Sequence, residues 1–238
     1  MQDLPSGPGS VASNRLALGA LALVVAGVTQ LPSGILRAGV VSASARNLEV
    51  ALGANSTAFR LGVALANVSV VFFVLGLFAL YAYLSRSSAE QLAFVGLVMT
   101  VGFLVLFLPV FGHVAYVVPA IGSLAEQGHV EMIQVMDQTF KEPFILIPGL
   151  GGLLWGVGCI PLGLAIWRSG ELWKWSGLLF ILSVVIGIPA IFGGQILQLI
   201  ASVLLGLAPL TTGVSLFRAV RGAAPSPTTA AGSPLASG

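Results

Sequence analysis

Catalysis in this chain would need ionisable side chains held inside apolar surroundings, and its sequence places almost none there. The acidic residues, eight in all, fall outside the long apolar stretches, so no paired carboxylates are set up for acid and base work. The two histidines, His113 and His129, lack a third metal ligand at helical spacing. Neither an HExxH helix nor a glycine-rich phosphate loop occurs. His129 lies in a polar loop, which argues against a haem held by both histidines. The single cysteine, Cys159, excludes an internal disulfide and a cysteine-based metal cluster. The sequence therefore predicts no catalytic residue, no metal and no cofactor. Proton-coupled pumps usually carry an ionisable group in the hydrocarbon core, and the missing acids weigh against that class.

The polar groups that do enter the apolar stretches gather toward one end. Gln30 ends the first stretch, Arg60 and Asn67 lie in one half of the second, His113 and Tyr116 end the third, and Gln195 and Gln198 begin the last. At about 1.5 Å per helical residue, Asn67 sits roughly 12 Å in from Phe59. An unpaired amide in hydrocarbon costs several kcal/mol, so Asn67 should have a partner. Two readings stay open. In one, Arg60, Asn67, His113 and Gln198 are the head-group contacts of an outward-opening cavity walled by spans one, two, three and six. Such a cavity would suit an amphiphile, with its tail between helices. In the other, helix ends are polar because the interface is wet, and Asn67 alone bonds a neighbouring helix.

These side chains need elements to carry them, and composition names the elements. The chain has 238 residues, 57% hydrophobic and 8% charged, with a mean hydropathy of +1.02. Soluble domains carry about 25% charged residues, so the bilayer must be the solvent here. A net charge of +2, with ten basic residues spread singly, excludes a nucleic-acid partner. The pattern predicts an all-α bundle of six transmembrane spans, each needing about 20 apolar residues. The first runs from Leu16 to Leu31 and stops at Pro32, and the second covers Phe59 to Leu84. The third starts near Leu92 and stays apolar past Val118, with a kink at Pro109 and Gly112. The fourth covers Phe144 to Trp167. Trp175 to Phe217 makes two more, a hairpin broken at Pro189 and Gly193-Gly194. Residues 1–14 and 222–238 read as disordered tails around a single six-span domain over 15–221.

Between spans three and four, Leu124 to Phe140 sets Met132, Ile133, Met136 and Phe140 at helical spacing. That predicts a short amphipathic helix in the outer loop, either a connector packed on the bundle or a lid over a cavity. In the fourth span Gly149, Gly152, Gly156 and Gly163 share one face with Cys159, a seam for close helix packing inside the bundle or in a homodimer. Leu75-Gly76-Leu77 and Leu162-Gly163-Leu164 each precede a basic loop and an apolar span. Those spans reach Leu108-Pro109-Val110-Phe111-Gly112 and Ile188-Pro189-Ala190-Ile191-Phe192-Gly193, which would make spans two-three and four-five repeats.

Arg60-Leu61-Gly62, and Gly163-Leu164-Ala165-Ile166-Trp167-Arg168-Ser169-Gly170 with Trp175 following, give the chain a resemblance. It is similar to a group of uncharacterised bacterial multi-span membrane proteins, classed as domains of unknown function. The likeness covers roughly residues 15–220 and implies a bacterial plasma membrane location, with no activity to carry over. The first functional reading is a non-catalytic protein of the inner membrane that binds a lipid-like ligand or a membrane partner. A homo- or hetero-oligomer through its helices would be such a partnership. The alternatives are a small transporter or channel, and an intramembrane enzyme on a lipid or isoprenoid with His113 as acid or base.

Orientation follows from the span ends. Arg15, Arg86, Arg168, Lys174, Arg218 and Arg221 gather on one face, against Arg37, Arg46, Arg60 and Lys141 on the other. Tyr81, Tyr83, Trp167, Trp173 and Trp175 line the first face as an aromatic belt. The acidic loop with Glu126, Glu131, Asp137 and Glu142 would lie outside. Reporter fusions at the two ends of the chain should both read as cytoplasmic. Ends on opposite sides would remove the six-span assignment.

Overall fold

Length and helix punctuation explain the elements of the computed structural model, which describes residues 8–40, 47–141, 146–192 and 195–222. Within its helices the side chains of residues 8–11, 139–141, 146–149, 152, 153, 191 and 192 lie outside that description. The described residues form helices and the turns between them, with no strand: α1 (Pro8–Arg37), α2 (Asn47–Ala54), α3 (Thr57–Leu84) and α4 (Glu90–Gly112) come first. A π-helical turn (His113–Val117) leads into α5 (Val118–Glu126), followed by α6 (Met132–Lys141), α7 (Leu146–Ser169), α8 (Lys174–Phe192) and α9 (Gln195–Gly222). Among the described residues four helices are long and apolar enough to cross a membrane: Ala12–Arg37, Thr57–Leu84, Glu90–Glu126 and Gln195–Gly222. The chain is an all-helical membrane protein.

Local chemistry fixes several ends. Ser56 caps α3, its Oγ accepting the Phe59 N–H at 3.2 Å. Gly170, at φ 68°, follows α7 in the left-handed conformation that ends a helix cheaply only at glycine. Pro32 and Pro189 behave differently from expectation, α8 running through Pro189 to Phe192. Pro32 does not end the first span: α1 runs through it to Arg37. Packing on both sides holds that last part, with Leu36 and Arg37 against Gly62 of α3 and Gly34 against Ser202 of α9. Pro109 and Gly112 leave α4 helical, and the irregular turn comes just beyond them. Pro119 lacks an N–H and its ring would strike the carbonyl of Ala115 in a regular helix. The backbone widens instead, and the Val118 N–H reaches back to the His113 carbonyl. The whole segment Glu90–Glu126 is 37 residues long, roughly 55 Å at about 1.5 Å each. It exceeds the hydrocarbon thickness of about 30 Å, so one end projects beyond it.

Helical backbone also begins at Pro8, inside the stretch read as a tail, where proline suits a first helical position. Residues 1–7 and 223–238, the rest of the two expected tails, lie outside the described residues, as do Arg46, Glu142 to Phe144 and Gly193-Gly194. The short helix α2 was not expected.

The long helices pack as a ring. Helix α1 lies along both α3 and α9, α9 along α8, α8 along α7, and α7 along α4. Close backbone approach makes these contacts. A Cβ on Gly27 of α1 would come within 2.6 Å of the Gly206 carbonyl oxygen of α9, and one on Gly96 of α4 within 2.8 Å of the Leu162 nitrogen of α7. Gly156 and Gly163 of the expected seam face Val184 and the Gly177 carbonyl of α8. Gly149 and Gly152 are helical positions whose surroundings lie outside the description. The glycines of the expected repeat sit differently, Gly76 against Leu23 of α1 and Gly163 against α8.

One joint in the ring is thin. Helices α3 and α4 meet near their connected ends, where the Tyr81 and Phe94 rings lie 6.0 Å apart. Toward their far ends they splay. There a smaller core forms from α2, α3, α5 and α6, built on Ala51, Phe59, Val63, Val118, Ile121 and Met136. It caps that end of the bundle.

Overpacking a tight helix contact costs about 1–3 kcal/mol. Gly96→Val should therefore lower the thermal melting point in detergent clearly. Gly102→Ala, whose new Cβ meets no atom within 4 Å, should leave it unchanged or slightly raised. Equal losses in both variants would show that α4 and α7 are not held by close approach.

Candidate functional site

The splay between α3 and α4 leaves two cavities that share Asn67. The deeper one, about 320 Å³, is walled by α1, α3, α4, α7 and α9. The second, about 300 Å³, lies between α3 and the π-turn with α5, lined by Arg60, Asn67, Tyr116 and Pro119 among others.

Antiparallel packing sets the levels within the deeper cavity. The Ser69 hydroxyl donates to the Ala26 carbonyl at 2.9 Å, and a Cβ on Gly62 would stand 2.8 Å from Arg37 Cγ. Gln30 and Asn67, between those two contacts in sequence, therefore stand at about one height and line the same cavity. Arg37 is two helical turns beyond Gln30 on the same side of α1, toward the capped end. The α4 side of the cavity is aromatic, from Phe111 near the capped end to Phe103 further in. Phe103 stacks on Phe107 at 5.3 Å and on Trp155 of α7 at 5.6 Å, and Phe107 tilts against Phe111 at 5.9 Å. The cavity is thus polar along α1 and α3, with Arg37 at its capped end, and aromatic along α4 and at Trp155.

Hydrogen bonding separates the polar groups into two kinds. Arg60 Nη2 donates to Asn55 Oδ1 at 2.5 Å, and Asn55 Nδ2 donates to Glu126 Oε2 at 2.7 Å, tying α3, α2 and α5 together. Asn47 donates to Asp137 and joins α2 to α6. Gln198 Oε1 accepts the Gly39 N–H at 3.2 Å, where Gly39 leaves α1 at φ 83°. Gln30 and Asn67 are different. Neither carboxamide has a hydrogen-bond partner among the described residues, although Gln30 is only 9% exposed. Arg37 bonds the Ser33 carbonyl through Nε at 3.3 Å, and it meets no carboxylate among the described residues.

Outside the spans, Glu131 is held below the usual carboxylate range by its own backbone N–H and then by His129, 3.2 Å away. No group of three metal-ligating side chains occurs among the described residues.

Of the four residues singled out from sequence, Arg60 and Asn67 meet in the second cavity. His113 and Gln198 line neither cavity. Arg37, Gln30 as a site member, and the aromatic wall were missed. The signal for the wall was present, since Phe103, Phe107 and Phe111 recur every four residues. Arg37 escaped because the first span was ended at Pro32, which put the arginine in a loop.

Residues 17–229 match the family described as domain of unknown function DUF4386, and the chain belongs to it. No curated protein and no solved structure matches.

An amide with no protein partner contributes nothing to folding that a similar apolar side chain would not. Asn67→Leu should melt at or above the temperature of the unaltered protein. Ser69→Ala loses an interhelical bond and should cost about 0.6–1.5 kcal/mol. A loss in Asn67→Leu as large as in Ser69→Ala would mean that the amide is bonded within the fold.

Proposed function

We propose that this chain is a non-catalytic, six-span protein of the bacterial plasma membrane that holds one lipid-like amphiphile in the cleft between α3 and α4. The observation that carries this reading is the pair of carboxamides, Gln30 and Asn67, that have no hydrogen-bond partner among the described residues and stand beside an aromatic wall. A buried amide left unpaired costs several kcal/mol. A bound molecule with a polar end would remove that cost, and its apolar part would lie along Phe103, Phe107 and Trp155. At about 320 Å³, the space sits at the lower end of small-molecule sites, about 300–1,000 Å³, and suits a single chain.

In this reading α7 and α8 join the four longest helices as crossings, which puts both termini on the cytoplasmic side. The cap of α2, α5 and α6 then lies at the outer surface. It acts as a packed connector and not as a loose lid, because Met136 of α6 is 1% exposed. Transport is the weaker reading. A route to the other face would have to pass the core of Leu77, Leu80, Leu84, Phe180 and Leu216, all fully buried. An intramembrane enzyme using His113 is weaker still, since that histidine lines neither cavity.

Native mass spectrometry of the purified protein, with lipid analysis of what it releases, tests the proposal. The unaltered chain should retain one amphiphile per copy. Val70→Trp, which pushes an indole into the cavity, should release it while eluting and melting normally. Retention at equal occupancy in Val70→Trp, or an empty unaltered protein that takes up no added amphiphile, would refute the cleft as a binding site.

A further inference from the structure

We infer that the occupant of the deeper cavity carries an oxyanion, a carboxylate or a phosphate monoester, on a single alkyl chain, with Arg37 and Gln30 holding that head. The inference rests on the amphiphile reading above and adds the charge and the direction of the ligand.

The argument starts from charge. Arg37 borders the cavity, and among the described residues no Asp or Glu lines it or the cavity beside it. One guanidinium nitrogen, Nε, is engaged with the Ser33 carbonyl. The two terminal nitrogens have no hydrogen-bond partner among the described residues. A guanidinium is a planar fork of donors that matches a carboxylate or phosphate two bonds at a time. At the edge of hydrocarbon a positive charge without a counter-charge is costly. An anionic head would neutralise it, which a zwitterionic or neutral head would do less well.

Direction comes from the levels already fixed. Arg37 stands at the capped end, Gln30 about 10 Å further in at about 1.5 Å per residue, and Trp155 and Phe103 lie beyond. Gln30 is nine-tenths buried and lines the cavity with no hydrogen-bond partner among the described residues. Its amide N–H donors suit the second face of the same oxyanion. The tail then runs from Gln30 and Asn67 into the aromatic wall. Among the four tryptophans of the chain, Trp155 lies in that wall. The other three, Trp167, Trp173 and Trp175, are 43–59% exposed.

That placement supplies the experiment. The full chain in detergent is titrated with chain-brominated dodecanoic acid, dodecyl phosphate or dodecanol, reading quenching of tryptophan fluorescence. Trp155→Phe gives the background from the three exposed tryptophans. Both anions should show saturable quenching that disappears in Trp155→Phe, and the tighter of the two identifies the head. The alcohol should bind at least about tenfold more weakly, the scale of a lost charge-assisted hydrogen bond. Arg37→Gln should weaken the anions by a similar factor and leave the alcohol unchanged, and Arg37→Lys should restore part of the loss. Elution and melting of each variant report its folding. Equal binding of alcohol and acid, with no effect of Arg37→Gln, would overturn the anionic head while the amphiphile reading stood. Absence of saturable, Trp155-dependent quenching by all three would overturn both.

Discussion

In a bilayer, apolar side chains gain little by leaving lipid for one another, so helices hold together only where backbones come close or polar groups bond. The bundle follows the distribution of its small residues. Helix α1 is the hub because Gly19 faces Ala79 of α3 while Gly27 and Gly34 face α9. Helices α4, α7 and α8 are joined through Gly96, Gly163 and Gly177. The glycines of α3 point at α1, and Gly102 and Gly112 of α4 meet no atom within 4 Å. No comparable approach joins α3 to α4 beyond their connected ends. The cavities lie there.

The second requirement of hydrocarbon is that backbone polar groups be satisfied, and the prolines show how it is met. Pro32 removes one donor from α1 without ending it, because packing on both neighbours holds the helix through Arg37. Pro119 forces a wider turn, and the π-turn at His113–Val117 re-aims the helix. That turn points Tyr116 toward the second cavity and brings α5 against α2, where Gly122 meets the Ala51 carbonyl. The cap and the cleft thus have one origin in the path of the third long helix.

Some polar groups of this protein cross-link helices, hydroxyls such as Ser183 and Thr212 bond back within their own helix, and a few line the cleft. Arg60, Asn55, Glu126, Asn47 and Asp137 belong to the first class and knit the cap. Ser69 joins α3 to α1. Gln30, Asn67 and the end of Arg37 have no such use among the described residues, and they line the same space. With no carboxylate there among the described residues, that space presents a positive, donor-rich end and an aromatic side. This asymmetry, more than cavity size, gives the cleft a direction.

The sequence by itself determined the solvent, the helical class and the span limits that chemistry marks locally, such as the second span ending at Leu84. Those depend on hydropathy and on residues acting within one turn of the chain. It also determined that no metal or acid–base set is available in the apolar stretches, and it picked out Asn67 as an amide in need of an explanation. Only the tertiary structure decided that Asn67 and Gln30 line one cavity, that Gln198 is engaged with Gly39, and that Arg60 is tied to Asn55. It also decided that Arg37 is part of a helix. The reason is physical: whether a proline ends a helix, or an amide is paired, depends on which neighbour comes within about 3 Å. That distance is set by glycines on other helices.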